Sequence, residues 1–288
     1  MLYAELSGGG RDLKPGDYAF GGGERVADVL RHLVSGDFVA VTVAIPEGAT
    51  LHQIAERLEE AGLVCQGRFE EAARWGPLPA ALGLEPLGAE GYLFPATYRF
   101  SPHASIGRIL GAMLGRFYRA LPSFTEERLF ELHLSAHELV TLASIIEKEA
   151  KVPGERPTIA SVFYNRLRVG MPLQSDPTAQ YNPEGEIEPA ATAVHTASSY
   201  NTYSIAGLPP GPIANPGMSS IMAALYPAHT DYLYFVARND GTHIFSRSLR
   251  EHERAIAIVR KLNADGTALK APRPATYAAP PPASAAKR

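Results

Sequence analysis

The stretch "LASIIEKEAKVPGERP" (residues 142–157) has the pattern of a buried helix that ends before a proline. Its apolar residues recur every three or four positions, which is the spacing of one helix face, yet two glutamates stand in its last turn. The helix is predicted to begin at Ser135, because a serine followed three residues later by a glutamate, here Glu138, is the pattern of a capping box. The sequence therefore predicts a helix over 135–151 that carries carboxylates at its end.

The two glutamates of this helix are predicted to have different surroundings. Residues three or four apart share a helix face, so Glu149 lies over Ile145 and Ile146. Glu147 lies on another face, within reach of Lys151, and is expected to be ionised and structural. Apolar neighbours raise the pKa of a carboxyl, and an acid protonated near neutral pH can give a proton to a leaving oxygen. Spacing alone also allows Glu149 to be a solvated residue at a helix end.

The remaining sequence predicts an α+β protein. Periodicity and turn residues predict helices at 25–36, 50–63, 105–121, 156–170, 220–227 and 249–264, a strand at 38–48, an extended aromatic segment at 91–100, and a hairpin at 232–246. Residues 171–216 are rich in Pro, Gly, Asn, Thr and Tyr and show no period. So long an irregular segment in a compact domain is usually functional, and here it is expected to form a cleft.

Composition excludes several classes of function. The chain has 288 residues and a formal net charge of −3, which argues against a nucleic-acid-binding surface. Cys65 is the only cysteine, so an internal disulfide is excluded. No apolar run approaches the ~20 residues of a membrane span. His133 and His137 have the spacing of a metal pair, but the sequence marks no third ligand, so we expect no metal and no cofactor.

Four segments of the second half carry a resemblance to a known family. They are "LASIIEKEA", "ASVFYNRLRVGMPLQSDPTAQY", "SYNTYSIAGLPPGPIANPG" and "DYLYFVARNDGTHIFSRSLREH". In order and spacing they resemble the YceG-like family of endolytic murein transglycosylases. The resemblance runs from about Thr42 to about Ala264 and includes "EGYLFPATY" at 90–98.

The resemblance implies a domain organisation and a location. Residues 1–65 would be an N-terminally truncated LysM-like module, 66–265 a larger mixed α/β catalytic domain, and 266–288 a disordered Pro/Ala-rich tail. Family members usually begin with a membrane-spanning helix, which is expected to be missing here, so that the chain as given is expected to be soluble. The implied location is the outer, periplasmic face of the inner membrane. Peptidoglycan synthases (penicillin-binding proteins) are implied partners.

The resemblance also implies an activity, the cutting of peptidoglycan glycan strands within the strand to leave 1,6-anhydro-N-acetylmuramic acid ends. The family's catalytic glutamate corresponds to Glu149. Two positions depart from the family pattern: Ala150 replaces a Thr or Ser, and Ala96 replaces an acidic residue. A glycan-binding protein without activity and a muramidase that uses water are the alternatives.

The irregular segment supplies the expected substrate-binding residues. If "LQSDPT" is extended, residues 174, 176 and 178 face one way. "YNTY" offers aromatic faces and polar groups, which suit a sugar ring. Asn165, on the helix after that of Glu149, is a further candidate, whereas Arg166 is expected to pair with an acidic neighbour. The full set is Asn165, Gln174, Asp176, Thr178, Tyr200, Asn201, Thr202 and Tyr203. Each also has an ordinary structural explanation as a turn or core residue.

Overall fold

The structure is a computed structural model and describes residues 13–14, 18–36, 39–84, 88–184 and 189–264. The first twelve residues and the predicted tail at 266–288 lie outside the described residues. The helices are α1 Val26–Ser35, α2 Leu51–Glu60, α3 Gln66–Trp75, α4 Pro77–Ala81, α5 Ile106–Ala120, α6 Thr125–Leu132, α7 Ala136–Glu149, α8 Arg156–Arg168, α9 Asp176–Gln180, α10 Ala190–Ala193, α11 Met218–Leu225 and α12 Leu249–Ala264. The strands are β1 Val41–Ile45, β2 Ala96–Phe100, β3 Tyr234–Ala237 and β4 His243–Ser246.

Local capping explains where several helices begin. The Ser135 side chain accepts the N–H of Glu138, and the Glu138 side chain accepts the N–H of Ser135 in return. Thr50 and Gln53 make the same reciprocal pair at the start of α2. These bonds satisfy backbone donors that the first helical turn leaves without partners. The predicted helices at 135–151 and 50–63 are confirmed with slightly shorter bounds.

Two small antiparallel sheets complete the α+β fold. Strand β1 pairs with β2, with Val41 opposite Phe100 and Ile45 opposite Ala96. Strand β3 pairs with β4 in the hairpin that the Asp-Gly turn predicts. The mixed α/β class is confirmed. The aromatic segment predicted as extended over 91–100 is a strand only from residue 96 onward.

Helix α7 lies at the centre of the core. Every residue from Leu139 to Ile146 is buried, and the helix packs against α11 and α8. The segment at 90–93 approaches it closely, because Gly91 has φ 86° and a Cβ there would lie 2.5 Å from the Pro212 ring. Glycine tolerates this backbone conformation and leaves the space open. The core thus fixes the end of α7, where both glutamates stand.

The sequence did not predict helices α3, α4 and α6, and the irregular segment contains two short helices, α9 and α10. Helices α6 and α7 meet at a bend of 86°. Within the residues that the structure describes, no single helix is long and apolar enough to cross a membrane, and only this bent pair passes that test together.

Candidate active site

Glu149 ends helix α7 at the border of a cavity of about 330 Å³. Lys148, Asp176, Tyr181 and His243 also line this cavity. The two turns of α7 that precede the glutamates are fully buried. Packing in the core therefore holds the backbone beneath the Glu149 carboxyl in a fixed position.

The surroundings of the Glu149 carboxyl favour its protonated form. Burial raises its pKa from 4.5 to about 7, and the neighbouring Asp176 carboxylate contributes to the rise. A hydrogen bond from Ser175 and the charges of Lys151 and Arg166 act in the opposite direction. A group with a pKa near working pH can both give and take a proton. The direction agrees with the raised pKa predicted from the apolar neighbours of Glu149.

Ser175 supplies the hydroxyl that position 150 lacks. Its Oγ donates a hydrogen bond of 2.5 Å to Oε1 of Glu149. Ser175 is itself held in place, because its N–H donates to Oγ1 of Thr202 at 3.0 Å and its carbonyl accepts from Oγ1 of Thr178 at 2.6 Å. The carboxyl is thus oriented from a separate segment of the chain, in spite of Ala150.

Glu147 has a structural environment. Its Oε1 lies 3.0 Å from the Arg156 guanidinium, and the two side chains are only 6% and 10% exposed. Its Oε2 accepts the N–H of Gly217 at 3.0 Å. The carboxylate therefore ties α7 to α8 and to the start of α11. The prediction named lysines as its neighbours, but the ion pair is with Arg156.

The expectation that residues 174, 176 and 178 face one way is wrong. Helix α9 begins at Asp176, and Gln174 has a φ of 48°, so the segment is not extended. Gln174 and Asp176 are exposed, whereas Thr178 is completely buried. The Thr178 hydroxyl lies 2.6 Å from the hydroxyl of Thr202. Thr178 therefore connects the segments at 175 and 202 inside the protein and does not face the cavity.

Three residues of "YNTY" are internal and the fourth is not. Tyr200, Asn201 and Thr202 are at most 7% exposed. The Asn201 amide donates to backbone carbonyls at 193, 194 and 196, and Tyr200 packs on Tyr181 with ring centroids 4.9 Å apart. Tyr203 is 38% exposed, and its hydroxyl donates to Oδ1 of Asp176 at 2.6 Å. Of the two tyrosines predicted for sugar stacking, only Tyr203 has a substantially exposed side chain, and it is not among the described residues that line the cavity beside Glu149.

Asn165 does not line the cavity beside Glu149, contrary to the expectation that it reaches the site. Its amide donates to the carbonyls of Thr230 and Tyr232 at 2.8 and 2.9 Å, and its oxygen accepts from Arg168. It borders a different cavity of about 430 Å³, which Arg128 also lines. Helix α8 is buried on several faces, so its sequence gave no sign of which face Asn165 occupies.

Arg166 has a role that the sequence did not reveal. Instead of pairing with an acid, its guanidinium donates to the carbonyls of Leu233 at 2.6 Å and Leu173 at 2.8 Å. It also lies near enough to Glu149 to lower the pKa of that carboxyl. One buried cation therefore joins the segment before Ser175 to the hairpin strand β3.

Glu90 is a second buried carboxyl that sequence reasoning missed. It accepts hydrogen bonds from the N–H of Leu51 at 3.0 Å, from the Asn215 amide at 2.9 Å and from the Tyr181 hydroxyl at 3.1 Å. Burial raises its pKa to about 7. Tyr181 lines the cavity, so this buried network supports one wall of the site.

Two other observations bear on the choice of site. A cavity of about 340 Å³ is lined by Tyr92, Tyr118 and His137, but no carboxylate is among its described lining residues. His137 uses its ring nitrogens on the Tyr92 hydroxyl and the Pro210 carbonyl. In the described ranges, no group of three or more His, Cys, Asp or Glu side chains could hold a metal ion. Of the cavities described, the one beside Glu149 has a carboxyl of raised pKa at its border, so acid–base chemistry points there.

The fold and the site together define a mixed α/β protein with a carboxyl of raised pKa at the end of a core helix, beside a cavity. The sequence model of the YceG-like family matches residues 1–258. The chain belongs to the YceG-like family. The resemblance noted from the four sequence segments is thereby confirmed.

Known proteins similar to this chain agree with that placement. A crystal structure of a YceG-like protein from Listeria monocytogenes superposes with a TM-score of 0.67 at 34% identity, and 88% of each chain is covered. An endolytic murein transglycosylase of Bacillus subtilis is 46% identical over 168 residues, which are 58% of this chain and 46% of that protein. An endolytic murein transglycosylase of Streptococcus pneumoniae strain R6 is 32% identical over 88% of this chain and 52% of that protein. The chain spans about half the length of these curated relatives.

Proposed function

We propose that this chain is an endolytic peptidoglycan lytic transglycosylase. It cleaves the β-1,4 bond between N-acetylmuramic acid and N-acetylglucosamine within glycan strands, leaving 1,6-anhydro-N-acetylmuramic acid ends. The observation that carries the proposal is the Glu149 carboxyl, which borders a cavity, is oriented by Ser175 and has a pKa raised to about 7. Relatives named endolytic murein transglycosylase support the substrate and the reaction class.

In the proposed mechanism one carboxyl acts twice. Protonated Glu149 gives its proton to the glycosidic oxygen, the bond from that oxygen to the muramyl anomeric carbon breaks, and positive charge develops on the carbon. Glu149, now a carboxylate, takes the proton from the 6-hydroxyl of the same sugar. The 6-oxygen closes on the anomeric carbon, so no water enters the product. A pKa near 7 suits both steps, because the group must be protonated first and basic afterwards.

The other candidate residues divide into two roles. Asp176 lines the cavity, Tyr203 bonds it, and Gln174 is exposed two residues before it; these three are proposed to contact the sugars, with Asp176 opposing the developing positive charge. The buried members of the set are proposed to hold the segments behind the exposed residues in position. They are Thr178, Tyr200, Asn201 and Thr202. Asn165 is proposed to stabilise helix α8 and has no part in sugar binding.

Mass spectrometry of the products from purified peptidoglycan tests the proposal. The whole chain should release fragments with anhydro ends. Reducing ends would instead indicate a muramidase that uses water, and an absence of fragments would indicate a glycan-binding protein. Either result would overturn the proposed reaction.

A pair of matched variants tests the choice of carboxyl. Glu149→Gln keeps an acceptor for the Ser175 hydroxyl but cannot donate a proton as an acid, so anhydro products should fall by a factor of at least about a hundred. Glu147→Gln alters the neighbouring glutamate and should retain activity per folded molecule. The reverse pattern would assign the chemistry to Glu147.

The organisation of the chain is part of the proposal. Residues 1–65 are proposed to form a LysM-like module that binds glycan, and 66–265 the catalytic domain. The capped helix α2 supports a unit there, and strand β1 joins it to the larger part of the chain by pairing with β2. The full-length protein is proposed to act at the outer face of the inner membrane, beside penicillin-binding proteins that make new strands.

A further inference from the structure

One wall of the Glu149 cavity is formed by the hairpin of β3 and β4. Ala237 is the last residue of β3, His243 is the first residue of β4, and both line the cavity. The His243 side chain is only 4% exposed, which is unusual for a histidine without a structural or chemical role. No motif in the sequence marked this residue.

The position of the His243 ring is fixed by Glu155. Nδ1 of His243 lies 2.7 Å from Oε2 of Glu155, and the backbone N–H of His243 donates to Oε1 at 3.1 Å. Phe235 packs perpendicular to the imidazole with ring centroids 5.4 Å apart. An ionised carboxylate can only accept hydrogen bonds, so Nδ1 carries a proton in this pair. In the neutral ring Nε2 is then an acceptor.

Nε2 is the ring nitrogen that remains for a ligand. Within the part of the chain that the structure describes, the His243 side chain makes its hydrogen bond through Nδ1. Two described side-chain atoms are fully buried without a partner, and Nε2 is neither of them. Nε2 therefore keeps some accessible surface, and His243 is one of the residues that line the cavity. A ring nitrogen with accessible surface and no protein partner can take a hydrogen bond from a bound substrate.

We propose that His243 is a substrate-contacting residue whose Nε2 accepts a hydrogen bond from a sugar hydroxyl of the glycan beside the scissile bond. Glu155 is its positioning residue, because it fixes both the tautomer and the ring orientation. This inference rests on the proposed transglycosylase function and adds a second contact on the wall formed by the hairpin. A purely structural role, in which His243 only fastens the hairpin to residue 155, is the alternative.

Two variants of His243 separate these roles. An asparagine amide can occupy the place of Nδ1 and keep the contact with Glu155, but it does not reach the position of Nε2. A glutamine amide can place its oxygen near Nε2. With soluble glycan strands as substrate, His243→Asn should lower kcat/KM about tenfold, whereas His243→Gln should stay within about threefold of the unmodified chain. Thermal unfolding of His243→Asn, which keeps the contact with Glu155, should remain close to that of the unmodified chain.

A variant of Glu155 tests the tautomer without removing the imidazole. In Glu155→Gln the new amide can donate to Nδ1, so the neutral ring would carry its proton on Nε2 and lose the acceptor. A loss of kcat/KM similar to that of His243→Asn is expected. An unchanged rate in Glu155→Gln would overturn the acceptor role.

The outcomes distinguish this inference from the function on which it rests. If the unmodified chain gives no anhydro products, the proposed function itself fails. If anhydro products form and His243→Asn is as active as the unmodified chain, only the role of His243 fails. A loss in His243→Gln as large as or larger than that in His243→Asn also overturns the substrate contact, because the Gln variant keeps the acceptor and gives up the contact with Glu155.

Discussion

Replacing Glu149 by glutamine should change stability with pH as well as activity. The carboxyl has a pKa of 4.5 when unperturbed and about 7 in the folded protein, because burial disfavours its charged form. Between these two values the folded state binds the proton more tightly than the unfolded state. The stability that protonated Glu149 contributes is therefore complete below pH 4.5 and is lost as the pH rises through about 7.

The size of this effect follows from the pKa shift. The rise in the pKa of Glu149 from 4.5 to about 7 corresponds to a loss of about 3 kcal/mol in the free energy of unfolding between low and high pH. Glutamine does not titrate and can still accept the Ser175 hydroxyl. Glu149→Gln should therefore gain about 3 kcal/mol relative to the unmodified chain on going from about pH 4 to about pH 8.5. Glu90 titrates in the same range, but it is present in both proteins and cancels in the difference.

Urea unfolding of both proteins over this pH range measures the difference directly. The gain should accumulate between about pH 4.5 and about pH 7 and level off above that interval. A difference that stays constant within about 1 kcal/mol would refute the reasoning, because it would mean that the carboxyl is not desolvated. Glu147→Gln is the control. It breaks a buried ion pair with Arg156 and should destabilise the protein by about 3 kcal/mol at neutral pH, without a titration centred near 7.

Other changes around the cavity have separate expected results. Ser175→Ala removes a hydrogen bond that lowers the pKa of Glu149. The pH–rate profile should therefore shift to higher pH by about one unit. An unshifted profile would contradict the role of this hydrogen bond. Arg166→Lys replaces a guanidinium that donates hydrogen bonds to two backbone carbonyls. The free energy of unfolding, measured in urea, should fall by about 2 kcal/mol. Tyr203→Phe removes the bond to exposed Asp176, so product formation should fall about threefold while the unfolding free energy changes by less than about 0.5 kcal/mol.

The sequence predicted features that depend on neighbours along the chain. Ser135 and Glu138 lie three residues apart, so the start of α7 could be inferred from the sequence. The different faces of Glu147 and Glu149 follow from helix geometry in the same way. The mixed α/β class also follows, since helical and β-branched segments alternate along the chain.

The arrangement around Glu149 depends on contacts between distant residues and could not be predicted in this way. The Ser175 hydroxyl reaches the carboxyl from 26 residues away, and Thr178 meets Thr202 across 24 residues. The extended conformation assumed for "LQSDPT" failed because Gln174 adopts a positive φ that favours a turn and a short helix follows. Asn165 was misplaced for a related reason, because a helix buried on several faces has no polar side to orient it.

The bonds to Glu90 have a consequence for exchanging parts of this protein with relatives. The Leu51 N–H and the Ala49 carbonyl lie before residue 65, and they bond the Glu90 side chain and the Asn215 amide, which lie beyond it. A graft at residue 65 would succeed only if the incoming piece offered a backbone donor and acceptor at the same two points. Residues 49–51 thus contribute to the buried network behind the cavity wall that Tyr181 lines.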